Sequence, residues 1–190
     1  VTERPLIRAS HCKGTLRSLQ ALAPAEVGPV LLALPRELRD GLAAATGLDL
    51  VPAEWDVRLV EAIEARLEAA QARLVYRTTM REALTGSLLG SLVAGGLRVF
   101  GGSPAGLYGW AGRAFAHVCR GCGELRLVSA GETTAELALV GMPASLAVPA
   151  YLEAIGATME AVLDVCRVEG AVRTTPEPGG ARFRVRWAAG

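Results

Sequence analysis

"ELRLVSAGETTAELALV", residues 124–140, decides the fold class. Leu125 and Leu127 fall on one face of its first half, and Leu137 and Leu139 on one face of its second. A hydrophobic period of two is that of a half-buried strand. The "SAGETT" between the halves is rich in turn formers and centres near Gly131, so the stretch reads as an antiparallel hairpin.

Toward the C-terminus the period lengthens. In "PASLAVPAYLEAIGATMEAVLDVCRVEG", residues 143–170, Leu152, Ile155, Met159, Val162, Leu163 and Cys166 form one stripe, with Glu153, Glu160 and Asp164 turned away. That is an amphipathic helix, and Gly170 is its expected C-cap. "AVRTT", the turn "PEPGG" and "ARFRVRW" then make a second hairpin over 171–187. In its last strand Phe183, Val185 and Trp187 alternate with Arg182, Arg184 and Arg186, which predicts one packed and one wet face.

Toward the N-terminus the chain reads as helical. "SPAGLYGWAGRAFAHV", residues 103–118, opens with Ser103 as N-cap and Pro104 at the first position, and carries Leu107, Trp110, Ala114, Phe115 and Val118. A long helical region over 78–100 carries Met80, Leu84, Leu88, Leu92 and Val93, and Gly101 and Gly102 end it. Gly86, Gly90, Gly95 and Gly96 lie inside it. Each interior glycine costs about 0.8–1 kcal/mol against alanine, so close packing, a bend or room for a ligand should compensate. "PAEWDVRLVEAIEARLEAA", residues 52–70, repeats Trp55, Leu59, Ile63 and Leu67 at helical spacing. "LDLVP" before it reads as a connector. Short helices punctuated by Pro24, Pro29 and Pro35 fill the chain up to about Gly47.

The expected architecture is α+β in a single domain over 1–190. A helical N-terminal part covers 1–75. A sensor-like α+β part covers 76–190, with a four-stranded, mainly antiparallel sheet of two hairpins and a helix crossing it.

Composition narrows the function. With 51% hydrophobic residues and a mean hydropathy of +0.32, the chain has ample core. A formal net charge of +1 offers no global field for nucleic acid. The longest uncharged apolar run, 84–97, is shorter than the ~20 residues of a membrane span. No secretory signal is visible. Cys12, Cys119, Cys122 and Cys166 then read as reduced thiols of a cytoplasmic protein.

"AHVCRGCG", residues 116–123, holds one C-x-x-C. A structural zinc site wants four ligands, and the second pair would have to come from His11 and Cys12, far upstream. A redox C-x-x-C belongs at a helix N-terminus, whereas this one follows a helix. Covalent haem attachment needs histidine where Gly123 stands. The preferred reading is a helix end with buried thiols. His117, Cys119 and Cys122 are kept as secondary metal candidates. His11 and His117 are the only histidines. Neither G-x-S-x-G nor H-E-x-x-H occurs, and "GGLRVFGG" lacks both a preceding strand and a following G-K-[ST]. No enzyme is expected.

Two further candidates remain. Gly90, Trp110, Phe115 and Met159 are placed to border an apolar ligand pocket. Arg182, Arg184 and Arg186 form a candidate interaction surface.

Over its last ~100 residues, "SPAGLYGWAGRAFAHVCRGCGELRLVSAGETTAELALVGMP", then "YLEAIGATMEAVLDVC", then "GAVRTTPEPGGARFRVRW", the chain resembles the C-terminal half of the haem-nitric-oxide-binding (H-NOX), 4-vinyl-reductase and TRAPP-like ligand-binding superfamily. It is most similar there to an uncharacterised family expanded in myxobacteria. "GTLRSLQAL", "PRELRDGL" and "PAEWDVRLVEAI" resemble that family's N-terminal part. The resemblance implies a bacterial sensor or adaptor rather than an enzyme. The Y-x-S-x-R clamp of H-NOX haem sensors is absent, and the zinc site of 4-vinyl-reductase domains has no counterpart in the hairpin.

The expected function is therefore a non-catalytic regulatory or adaptor domain in signalling or intracellular organisation. It would act through a protein partner or a homodimer and need no cofactor, haem and zinc being the lesser options. The alternative is a small-molecule sensor, with a hydrophobic ligand or haem between the helices.

Overall fold

The computed structural model describes residues 4–86, 90 and 103–189. Its elements are β1 (Leu6–Arg8), α1 (Ala9–Leu22), α2 (Pro24–Ala33), α3 (Arg36–Ala44), β2 (Leu50–Pro52), α4 (Glu54–Glu64) and α5 (Ala69–Thr85). There follow α6 (Pro104–Tyr108), α7 (Ala111–Val118), β3 (Cys119–Arg120), β4 (Glu124–Ala130), β5 (Thr134–Val140), α8 (Pro149–Cys166), β6 (Gly170–Glu177) and β7 (Gly180–Trp187). The fold is α+β, with one three-stranded and one four-stranded antiparallel sheet.

The larger sheet runs β4-β5-β7-β6. Residues 124–140 form its first hairpin, with Leu125 opposite Leu139 and Leu127 opposite Leu137. Leu137 and Leu139 are buried, but Leu127 is exposed. β4 is the edge strand, and its register shifts between Leu127 and Ser129. A bulge there breaks the alternation that the sequence suggests. β7 alternates as expected, with Phe183, Val185 and Trp187 buried and Arg184 and Arg186 exposed. α8 packs on β6 and β7. It comes close because Gly156 has no side chain: a Cβ there would lie 2.3 Å from Thr174 Oγ1. Its C-cap is not Gly170, which opens β6, but Arg167 in the left-handed region at φ 58°.

The smaller sheet, β2-β1-β3, has no counterpart in the sequence reading. "LDLVP" contains β2, and "AHVCRGCG" contains β3. Strands of two or three residues are too short for alternation to show. This sheet ties the start of α1 to the start of α4 and the end of α7.

Two expected helices are broken. Residues 52–70 divide into α4 and the start of α5, with Leu67 buried at the bend. Residues 103–118 divide into α6 and α7, and Ser103 caps α6 by accepting from the Gly106 N–H at 3.2 Å. The helical region over 78–100 begins earlier, at Ala69. Leu88, Leu92, Val93, Gly95, Gly96, Gly101 and Gly102 lie outside the described residues.

α5 is fastened to α8 by charge. Arg73 grips Glu160 through two bonds of 2.8 and 3.1 Å, and Arg77 holds Asp164 through a pair, one at 2.7 Å. Glu160 also accepts from the Val172 N–H at 3.2 Å, which extends the tie to β6.

Candidate functional site

The helices do not fill one another. A cavity of ≈140 Å³ opens between α1, α4, α5, α7 and α8, with Ile7 and Leu125 on its margins. α8 supplies most of one wall through Tyr151, Ala154, Ile155, Thr158, Met159 and Val162. Those positions follow the i, i+3, i+4 rhythm of a single helix face. α5 supplies Tyr76, Thr79, Met80 and Leu84, and α7 supplies Ala111, Ala114 and Val118. Trp110 and Phe115 also line the space, so three of the four expected pocket residues meet there, Met159 being the third. Gly90 is not on the wall.

The three threonines and Tyr108 on the wall are engaged with helix carbonyls. Thr15 donates to His11 O at 3.3 Å, Thr79 to Val75 O at 2.8 Å and Thr158 to Ile155 O at 2.6 Å. The Tyr108 hydroxyl donates to Met159 O at 2.9 Å. A hydroxyl that has given its only proton to the backbone has no donor left to offer a ligand, and its oxygen can still accept. Burial pushes the phenols of Tyr76 and Tyr108 far above their ordinary value.

One end of the cavity is different. Asp56 of α4 is 2% exposed and lies on the wall. His11 Nε2 stands 3.5 Å from its Oδ2, and the Cys12 thiol donates to its Oδ1 at 3.5 Å. The Tyr151 phenol lies beside it on the same wall. Burial, then the Asp56 charge, raises both the Cys12 thiol and the Tyr151 phenol well above their usual ranges. Sequence reading missed Asp56 and Tyr151. The signal was present: Asp56, Val60 and Ile63 share one face of α4, so an acid sits in a hydrophobic stripe.

The C-x-x-C lies beside this end. Cys119 is on the cavity wall in β3, and both it and Cys122 are buried. The Cys122 thiol donates to Leu6 O and Arg120 O at 3.4 Å each, and the proximity of the two thiols lowers Cys122 and raises Cys119, with burial adding to the rise of Cys119. His117 is exposed and off the wall. Among the described residues no group of three or more His, Cys, Asp or Glu is placed to hold a metal ion. The arginine row is partly neutralised: Arg182 pairs with Glu177 at 2.7 Å and Glu136 at 2.5 Å, and Arg184 pairs with Glu136 at 3.1 Å.

No family model and no curated protein matches the sequence. Solved structures do match the fold. The Fe(II) unliganded H-NOX protein of K. algicida superposes with a TM-score of 0.65 at 8% identity, over 97% of this chain and 98% of its own. An oxygen-binding H-NOX domain related to soluble guanylate cyclases, in its oxygen complex, gives 0.58 at 12% identity, over 95% of each chain. An H-NOX structure concerned with haem distortion in that family gives 0.59 at 12%, over 96% of this chain and 95% of its own. At such identities the likeness is one of fold.

These matches correct two expectations. A protein-interaction adaptor that needs no cofactor is displaced, because the solved proteins sharing this fold are H-NOX proteins, with iron, oxygen and haem named among them. The alternative, a sensor with a small molecule between its helices, is the better-supported reading.

Proposed function

We propose that this chain is a sensor domain whose signal is a small, mainly apolar molecule held between α1, α4, α5, α7 and α8. The observation that carries the reading is the apolar cavity of ≈140 Å³ in a fold shared with H-NOX proteins. A dry apolar cavity of about that size binds benzene. The domain is non-catalytic on this reading. It belongs with the myxobacterial family it resembles, works among reduced cytoplasmic thiols, and passes its state to a protein partner or a second copy. No helix among the described residues is long and apolar enough to cross a membrane.

A haem would need an axial donor and partners for its propionates. Arg113 on the wall is the one guanidinium there among the described residues, stacked 4.6 Å over the Trp110 ring. His117, the imidazole of α7, is exposed and off the wall, and α7 turns Ala111, Ala114 and Val118 inward instead. His11 is on the wall but faces Asp56. The Y-x-S-x-R pattern is absent. A porphyrin is also several times larger than a benzene-sized space. The described residues therefore suit a compact apolar ligand better than a haem.

The test is a toluene titration and a haemin titration on the same purified protein. The first is followed by Trp fluorescence and Tm, the second by Soret absorbance. Saturable toluene binding with a rise in Tm is expected, and haemin should show no one-equivalent end point. Stoichiometric haemin binding, or no toluene binding at all, would overturn the reading.

A further inference from the structure

Two residues of fixed charge type line the largely apolar cavity, Arg113, which is exposed and stacked on Trp110, and Asp56, which is buried, and the buried one carries an inference about the ligand. A buried carboxylate is stable only with donors around it. Two oxygens can accept about four hydrogen bonds. Asp56 has as neighbours a thiol, which is a weak donor, at 3.5 Å and an imidazole nitrogen at 3.5 Å, with the Tyr151 phenol beside it. Among the described residues no lysine or arginine forms an ion pair with it. The hydroxyls of Thr15, Thr79, Thr158 and Tyr108 on the same wall are turned to helix carbonyls. Asp56 is thus an acceptor with capacity left, at the edge of a largely apolar space.

We propose that Asp56 selects the ligand: the cavity takes a compact aromatic or aliphatic molecule bearing one hydrogen-bond donor, a hydroxyl or an N–H, which donates to this carboxylate. The inference rests on the reading of the cavity as the ligand site. His11 and Cys12 contact the carboxyl at 3.5 Å each and are positioning residues. The rest of the wall selects for size and apolarity. A hydroxyl entering this cavity without a partner would lose its water and weaken binding, whereas donation to a carboxyl oxygen offsets that loss.

The experiment is calorimetric titration of the intact chain with toluene and with phenol. The two probes are close in size and differ in one donor. Phenol is expected to bind at least about tenfold more tightly than toluene, the scale of a hydrogen bond to a charged group. Asp56→Asn preserves shape, and in it the toluene affinity should hold while most of the phenol advantage disappears. If the variant does not fold, the phenol-to-toluene ratio in the native protein still decides. Equal binding of the two, or tighter toluene, overturns the role of Asp56 and leaves the cavity reading intact. Failure of both probes to bind overturns the cavity reading, and this inference with it.

Discussion

Asp56 stands where the periodicity of α4 asks for a hydrophobe. Such a residue is invisible to a reading that sorts positions by stripe and recognisable once the stripe is seen to contain an acid. Gly123 shows the opposite case, a residue whose type is explained only by its backbone. Its φ is +95°, and a Cβ would lie 2.7 Å from Val140 O and 3.0 Å from Met142 N. Gly123→Ala should destabilise the protein by about 2 kcal/mol, lowering Tm by about 4–8 °C at this chain length. An unchanged Tm would mean that the β3–β4 turn relaxes at little cost. The thiols offer a second check. Cys12, Cys119 and Cys122 are buried, and Cys166 is half-buried with its thiol raised by that burial. Maleimide labelling followed by mass spectrometry should modify Cys166 first in the native protein and all four thiols in denaturant. Early labelling of Cys119 instead would show that the cavity opens to bulky reagents.

Between elements, the charges on α5 and α8 decide how firmly one cavity wall is held. The Arg77 guanidinium holds the Asp164 carboxyl below the usual carboxylate range, against a smaller opposing effect of burial. A carboxyl depressed on folding contributes stability above its unfolded value of about 3.9. That contribution is lost as pH falls through its lower folded value. Asp164→Asn should therefore lower stability at pH 7 by about 1 kcal/mol, a modest figure because both partners are partly solvated. It should also flatten the acid limb of a stability-versus-pH curve measured by urea unfolding. An acid limb as steep as the parent's would assign that loss to other carboxylates. Glu160 is more deeply buried and ties three elements, so Glu160→Ala should cost about 3 kcal/mol. The sequence reading placed Glu160 and Asp164 on the outer face of the helix, as charges usually are. It had no means of knowing that α5 would cover them. The hairpins were legible because β5 and β7 are long and place Leu137 and Leu139, and Phe183, Val185 and Trp187, at every second position, while β1, β2 and β3 were not, their short ladders being set by pairing rather than pattern.

At the scale of the molecule, α+β layering followed from the order of periodicities, but the space between the helices did not. Sequence pattern reports which face of a helix is apolar, and it does not say whether facing side chains meet. Trp110, Phe115 and Met159 could be named as neighbours of a pocket, whereas its volume depends on small residues such as Ala111, Ala114 and Ala154 on the same wall. The same small residues provide the test of whether the space matters to the whole domain. Ala114→Leu would place a side chain into ≈140 Å³ of emptiness. Filling a void without overpacking restores lost van der Waals contacts, so Tm should hold or rise. In the parent protein, ligand at a hundred times its Kd adds about 2.7 kcal/mol of stability, which for a chain of this length is a Tm rise of about 5–10 °C. With toluene as ligand, Ala114→Leu should erase that rise while leaving the unliganded protein at least as stable. Loss of the rise together with a lower Tm would indicate a damaged fold. A full rise in the variant would place the bound toluene outside this cavity.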